Sequence, residues 1–306
     1  MLSRITVSGL LVNPFVYLAV FLFILLGCSS SLLKRQVPTK NIQVQGHRGS
    51  RGTHPENTLS SFEEAVSAGA DWIEFDLVLS KDDVPIVSHD ATISVDLCLD
   101  ARKKPLTRLI PIKTQTVKQL KAFDCGSVPN PVFPEQKTVP GQTFVTLEEV
   151  LIWAKRFPDK KVRFNIETKT SAPQKQFEPN PRKFVDSIVR LLRKYHQIEN
   201  SILQSFDFRT LAEARKMEPS LKLSTLFDKP GPICKATKEL GATIASPNLS
   251  LLTQDMIKEC HSLGIEIHPW TLNQESDWKS AISLGVDGII TDYPRKLTTF
   301  LISSTR

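Results

Sequence analysis

The residues best suited to chemistry stand at the ends of short apolar runs. His47 and Arg48 follow the first of these runs, and His89 follows the third. Histidine suits proton transfer near neutral pH, and arginine binds anions through paired hydrogen bonds. Taken singly, each is explained as well by a solvated loop, so their meaning depends on the residues that accompany them.

Two carboxylates lie inside an otherwise apolar segment. Glu74 and Asp76 flank Phe75, so a β-strand here places both acids on one face and Phe75 on the other. Burying two carboxylates is costly unless a cation neutralises them. The segment therefore predicts a metal ion held by oxygen ligands. A salt-bridged pair of acids at a barrel mouth is the alternative.

A later strand end adds a third acid and a cation. Asn165, Glu167 and Lys169 alternate along the chain and share one strand face by the same rule. Glu167 would be a third carboxylate for the metal ion, and Lys169 would supply a positive charge for a phosphate oxygen.

Strand-like and helix-like segments alternate around these residues, which predicts a parallel sheet of βα units. The strand candidates are residues 42–45, 72–78, 85–88, 162–166, 202–205, 222–226, 242–245, 265–269 and 288–291. The helix candidates are residues 59–68, 147–155, 182–195, 254–263 and 275–284. Nine strands and about 250 residues suit a TIM (β/α)8 barrel with one accessory strand.

A long segment interrupts this alternation. Residues 91–142 are rich in proline, lysine and polar side chains and are too long for an ordinary βα connection. We expect an insertion at the C-terminal face of the barrel, where inserted loops shape the substrate pocket.

The N-terminus carries an export pattern. Arg4 and the apolar run that ends at Leu26 match a signal peptide over residues 1–27, and residues 25–30 look like a bacterial lipobox with Cys28 as the lipidated residue. Residues 28–41 would be a tether and 42–302 the catalytic domain. An uncleaved anchor or a simple cleaved signal remains an alternative. We expect an exported protein, anchored to a membrane and facing the periplasm or the cell exterior.

Charge and cysteine content exclude other classes. The net charge of +7 is spread among 32 acidic residues, which argues against a nucleic-acid partner. Cys98, Cys125, Cys234 and Cys260 show no CxxC spacing, so neither a zinc site nor a redox motif is indicated. An oxidising compartment would permit one or two disulfides, which the sequence cannot pair, but we expect these four to be mostly unpaired structural thiols.

The motifs together resemble the glycerophosphodiester phosphodiesterase family, in the family's order. They are His-Arg-Gly at 47–49, Pro-Glu-Asn-Thr at 55–58, Glu-x-Asp at 74–76, His-Asp at 89–90, Glu-x-Lys at 167–169, Trp-Thr-x-Asn at 270–273 and the closing strand at 285–294. The resemblance runs from about residue 42 to 300. It departs at Phe144-Val145, where many members have Ile-Pro.

This resemblance implies metal-dependent hydrolysis of glycerophosphodiesters to an alcohol and glycerol 3-phosphate. It implies that Glu74, Asp76 and Glu167 hold one Ca or Mg ion and that Arg48 and Lys169 bind the phosphate. It also implies that His47 and His89 act as general acid and base, in either order, and that Trp270 forms part of the pocket wall. Attack by water and attack by a substrate hydroxyl, giving a cyclic phosphate, both remain open.

Three rival functions remain. A phosphatidylinositol-specific phospholipase C or a sphingomyelinase D type enzyme would use the same barrel, because fold does not determine substrate. A lysophospholipase D acting on lipid substrates would be a member of the same family with a different substrate. A non-catalytic surface lipoprotein is disfavoured because every residue of the catalytic set is present.

Overall fold

The computed structural model describes residues 42–158, 160–172 and 174–304. The predicted signal peptide, the tether and Cys28 lie outside the described residues. Within those residues, no helix is both long enough and apolar enough to cross a bilayer.

Strands and helices alternate through the described residues. In chain order they are β1 (Gln43–Gly46), α1 (Leu59–Ser67), β2 (Trp72–Leu79), β3 (Pro85–Val87), β4 (Thr92–Ile93), β5 (Ile110–Pro111), α2 (Val117–Leu120), α3 (Leu147–Ala154), β6 (Phe164–Thr168), α4 (Pro181–Lys194), β7 (Ser201–Ser205), α5 (Phe208–Met217), β8 (Lys222–Phe227), α6 (Ile233–Glu239), β9 (Ile244–Pro247), α7 (Gln254–Ser262), β10 (Glu266–Ile267), α8 (Glu275–Leu284), β11 (Gly288–Thr291) and α9 (Pro294–Ser304).

Eight parallel strands form a nearly closed barrel in the order β10-β9-β8-β7-β6-β2-β1-β11. Backbone bonds link the two end strands, since the Asp287 N–H donates to the Ile267 carbonyl at 2.9 Å and the Ile290 N–H to Pro269 at 3.0 Å. The ninth strand, β3, pairs antiparallel with β2. The predicted TIM barrel with one accessory strand is confirmed.

The two faces of β2 show why the sequence alternates. Phe75 is fully buried on the outer face, with its ring centroid 5.4 Å from that of Phe62 in α1 and 5.9 Å from that of Phe164 in β6. On the inner face, the Gln204 amide donates to Glu74 at 2.9 Å, and the Asn165 amide donates to Gln204 at 3.0 Å. The outer layer is an apolar core between strands and helices, and the barrel interior is a polar network below the acids.

Predicted helix ends lie close to the observed ones, because the sequence shows the capping residues. Thr146 accepts a bond from the Glu149 N–H, and the Glu149 side chain accepts from the Thr146 N–H, which together start α3. Gly285 ends α8 with a φ of 96°. Helices α2, α5, α6 and α9 were not among the predicted helices.

The insertion folds against the barrel through a small core of its own. Short strands β4 and β5 pair antiparallel, and buried Ile93, Ile112 and Leu120 pack with Val78 and Ile86 of the barrel. The predicted insertion therefore extends from the accessory strand to the start of α3.

The prediction of unpaired thiols is wrong. Cys98 and Cys125 form a disulfide within the insertion, and Cys234 and Cys260 form another between α6 and α7. The paired residues are 27 and 26 positions apart, but folding brings their Cα atoms to 4.0 and 4.9 Å. Spacing along the chain carries no information on that approach.

Candidate active site

Three carboxylates meet at the C-terminal end of the barrel interior. Glu74 and Asp76 come from β2 and Glu167 from β6, and strand pairing sets Asp76 opposite Glu167. All three are buried, and one oxygen from each lies within 4.8 Å of the others. The predicted trio is thus brought together.

The trio has the properties of a cation site. Asp76 Oδ1 and Glu167 Oε1 are buried and accept no hydrogen bond of good geometry. Their neighbour is the Lys169 ammonium, at 3.2 Å from Asp76 and 2.5 Å from Glu167. Oxygen-only donors of this kind suit a hard divalent cation such as Ca or Mg, so the residues present fit such an ion.

Crowding of negative charge perturbs these acids. Burial, with the charges of Asp76 and Glu167, raises the pKa of Glu74 well above its ordinary value. Burial also raises the pKa of Glu167 to about 6, although Lys169 opposes this. For Asp76, burial favours a higher pKa, but the positive charges of Lys169 and Arg48 outweigh it and lower the pKa. Opposed pKa shifts among crowded buried carboxylates are typical of functional sites.

Arg48 is held at the rim by the loop after β1. Its backbone φ is 49°, and its N–H donates to Glu74 at 2.9 Å. Its guanidinium pairs with Glu56 at 2.7 Å and lies 3.5 Å from Asp76. Gly49 has a φ of 85° and leaves no room for a Cβ, which would come 2.4 Å from the Ser61 hydroxyl. The Gly-His-Arg-Gly motif is therefore a tight turn that aims Arg48 into the site.

His47 is oriented by a carboxylate from the last strand. Its Nδ1 lies 2.7 Å from Asp292 Oδ1, and its Nε2 points toward Glu74 at 4.0 Å. Asp292 also accepts two bonds from Arg51, at 2.9 and 3.1 Å, and one from the Asn273 amide at 2.7 Å. Burial lowers the pKa of His47 to about 4 despite the Asp292 charge, so the ring is neutral at pH 7.

His89 approaches the site from the accessory strand. It follows β3, its side chain is 34% exposed, and its Nδ1 lies 2.8 Å from Asp90 Oδ1. The bond with His89 lowers the pKa of Asp90, which keeps that carboxylate charged beside the ring.

A cavity of about 260 Å³ joins the predicted residues. His47, Arg48, Glu74, His89, Glu167, Lys169 and Trp270 all line it. Trp270 contacts Phe206 edge to face, with ring centroids 5.6 Å apart. Asp76 lies beneath, bonded by the Asn57 amide at 3.0 Å.

A wider groove of about 760 Å³ continues from this cavity along the loops after β6, β7 and β8. It shares His89, Glu167, Lys169, Phe206 and Leu226 with the cavity and adds apolar side chains from Phe208, Phe227, Pro230 and Pro232.

Sequence reasoning missed Asp292, Arg51 and Asn273 as site residues. Asp292 and Asn273 lie inside the two C-terminal motifs, so their presence was noticed but their contact with His47 was not. The signal available was the position of Asp292 immediately after β11, which is the neighbour of β1 in the closed barrel.

Comparison with known proteins agrees with this geometry. The model of the glycerophosphoryl diester phosphodiesterase family matches residues 47–296. The Bacillus subtilis glycerophosphodiester phosphodiesterase is 31% identical over 83% of this chain and 84% of its own length. The enzyme of the same name from Caldanaerobacter subterraneus is 29% identical, over 83% of this chain and 95% of its own.

A crystal structure from Silicibacter pomeroyi, described as a glycerophosphoryl diester phosphodiesterase, superposes with a TM-score of 0.81 at 28% identity. The match covers 86% of this chain and 94% of that one, so nearly all of the Silicibacter pomeroyi chain corresponds to the barrel domain. With a family match over most of its length and the site intact, the chain belongs to the glycerophosphoryl diester phosphodiesterase family.

Proposed function

We propose that this phosphodiesterase hydrolyses glycerophosphodiesters to glycerol 3-phosphate and an alcohol, with His47 and His89 as base and acid. The observation that supports this most directly is the single cavity lined by both histidines, two acids of the trio and three cations. A phosphodiester needs charge neutralisation on its oxygens together with proton transfer at the attacking and leaving oxygens, and this cavity provides groups for each.

His47 is the better base. Its low pKa leaves Nε2 unprotonated at neutral pH, and Asp292 holds Nδ1, which fixes the tautomer that accepts a proton at Nε2. We assign His89 as the acid because it lines the same cavity and Asp90 holds its Nδ1 at 2.8 Å, which leaves Nε2 for the leaving oxygen. The proton removed by His47 comes from water or from a substrate hydroxyl; a cyclic phosphate among the early products would identify the second route.

Arg48 and Lys169 bind the phosphate oxygens. Arg48 presents paired donors, and its position is fixed by Glu56. Glu74, Asp76 and Glu167 would hold one divalent cation, Ca or Mg, which supplies Lewis-acid stabilisation of the phosphoryl oxygens when bound.

The test is release of glycerol 3-phosphate from glycerophosphocholine, with Ca or Mg supplied and then removed by a chelator. Glu74→Gln and Asp76→Asn should each reduce release by at least about 100-fold. Glu199→Gln is the matched control, since Glu199 is exposed and precedes β7 at the opposite end of the barrel. Unchanged release by Glu74→Gln and Asp76→Asn would overturn the metal-dependent mechanism.

A second candidate substrate is a lysophospholipid. The groove beside the cavity is favourable for an acyl chain, because apolar side chains line part of it and its volume is about three times that of the cavity. Phe206 is at the junction and is 43% exposed. Phe206→Ala should then reduce kcat/KM for lysophosphatidylcholine more than for glycerophosphocholine. An equal loss for both substrates would remove the argument for an acyl subsite.

We also propose export and membrane anchoring through residues 1–27 and Cys28, from the sequence pattern alone. Labelled palmitate should enter the wild-type protein and not Cys28→Ser. Labelling of neither would favour an uncleaved anchor or a simple signal peptide.

A further inference from the structure

The insertion carries a disproportionate share of positive charge. Residues 91–142 contain eight basic and four acidic residues, so more than half of the chain's net charge of +7 resides in about a sixth of its length. The catalytic mechanism uses none of these basic residues.

The charge is densest at the insertion tip, defined as residues 101–109. This segment contains four basic residues and no acidic one, and eight of its nine residues are exposed. Lys103 pairs with Asp124 at 2.8 Å. Arg102, Lys104 and Arg108 form no side-chain ion pair with any described residue.

Exposed apolar side chains accompany these cations. Leu109 in the tip is 59% exposed, and Val132, further along the insertion, is 74% exposed. Five large apolar side chains are exposed in the described part of the chain, and Leu109 and Val132 are two of them. Phe206, at the cavity mouth, is another.

Both parts of the insertion border the catalytic cleft. Phe133, next to Val132, stacks on the Arg51 guanidinium at 4.7 Å and meets the Tyr293 ring at 6.4 Å. Arg51 in turn binds Asp292, the partner of His47. On the other side, the disulfide between Cys98 and Cys125, which stand on either side of the tip in the sequence, lines a small cavity together with His89. The exposed residues therefore belong to the same end of the barrel as the substrate mouth.

We propose that the insertion is a docking surface for an anionic lipid bilayer and turns the catalytic cleft toward it. Lys and Arg side chains attract the acidic head groups, and their aliphatic parts, with Leu109 and Val132, enter the interface between head groups and acyl chains. A nucleic acid offers the same negative charge but no apolar layer for these side chains. The surface acts independently of catalysis, so its test needs no substrate.

The experiment measures co-sedimentation of residues 40–306 with vesicles of phosphatidylcholine alone or with about a third of phosphatidylglycerol. Binding should require the anionic lipid and weaken as salt rises. Arg102→Gln, Lys104→Gln and Arg108→Gln combined should weaken it by about fivefold for each charge removed. Hydrolysis of soluble glycerophosphocholine should not change.

The control carries Lys160→Gln, Lys161→Gln and Lys258→Gln, which remove the same charge from exposed positions away from the insertion. If this control loses as much binding as the insertion variant, net charge alone explains it and the docking surface is overturned. Equal binding to neutral vesicles, or binding to duplex DNA as tight as to anionic vesicles, would also overturn the lipid assignment. Loss of binding by Leu109→Ser with all charges kept would support it.

Discussion

Replacing Asp292 by Asn tests whether this carboxylate orients His47 for catalysis. The substitution keeps the volume of the side chain but removes the charge that accepts the His47 Nδ1 bond at 2.7 Å. A hydrogen bond to a charged group contributes about 1.5–3 kcal/mol, equivalent to about 10- to 150-fold in rate. The wrong tautomer of His47 would add to this loss. We therefore expect kcat to fall by about 100-fold or more.

The assay is steady-state hydrolysis of glycerophosphocholine at saturating metal, with thermal unfolding as the check on folding. KM should change by less than about threefold. In the described part of the chain, the side-chain partners of Asp292 are His47, Arg51 and Asn273, and they include neither a phosphate-binding residue nor an acid of the trio. Arg51→Gln is the matched variant, since it removes the other main partner of Asp292 and leaves the His47 bond. A kcat for Asp292→Asn within about threefold of wild type, or an equal loss in Arg51→Gln, would refute the orientation of His47 by this carboxylate.

Three further predictions follow from the site and its supports. Chelation should abolish hydrolysis, and added Ca or Mg should restore it; activity that survives exhaustive chelation would contradict a metal requirement. Replacing Cys98 and Cys125 by Ser should cost about 3.5 kcal/mol of stability, and replacing Cys234 and Cys260 about the same, because the closed loops are nearly equal in length. Only the first pair borders the cavity beside His89, so only its loss should also lower kcat/KM; equal activity losses would contradict this. Asp124→Asn should lower the free energy of unfolding at pH 7 by about 1–3 kcal/mol, measured in urea. Burial alone would raise the pKa of Asp124, but bonds from Lys103, Gly126 and Ser127 lower it, so its contribution is present above about pH 4 and is lost as the pH falls further. The difference between variant and wild type should therefore shrink below about pH 4, and a constant difference would contradict the cause.

Strand positions were predictable because the physical rule is local. The alternation of Glu74, Phe75 and Asp76 predicted that the two acids face one side of the strand and Phe75 the other. The structure places Phe75 in the outer core and both acids inside the barrel. Helix α5 was missed although Asp207 caps it, because it follows β7 almost at once. Helix α6 was missed because it has only seven residues and no side-chain cap at its start.

Contacts between distant segments were not predictable in the same way. His47 and Asp292 are 245 residues apart, and the parallel pairing of β1 with β11 in the barrel brings them to 2.7 Å. The two disulfides and the groove after β6, β7 and β8 likewise depend on which loops become neighbours in space.

By itself, the sequence determined the barrel fold and the place of the insertion. It also indicated the acid trio, both histidines and the two phosphate-binding candidates, because alternation is a property of single strands and each motif lies within one short segment. Only the tertiary structure decided the orientation of His47, the pairing of the cysteines and the charged exposed surface beside the cleft. These features depend on closure of the sheet and on packing of the insertion against it, and no stretch of sequence shorter than the whole domain encodes them.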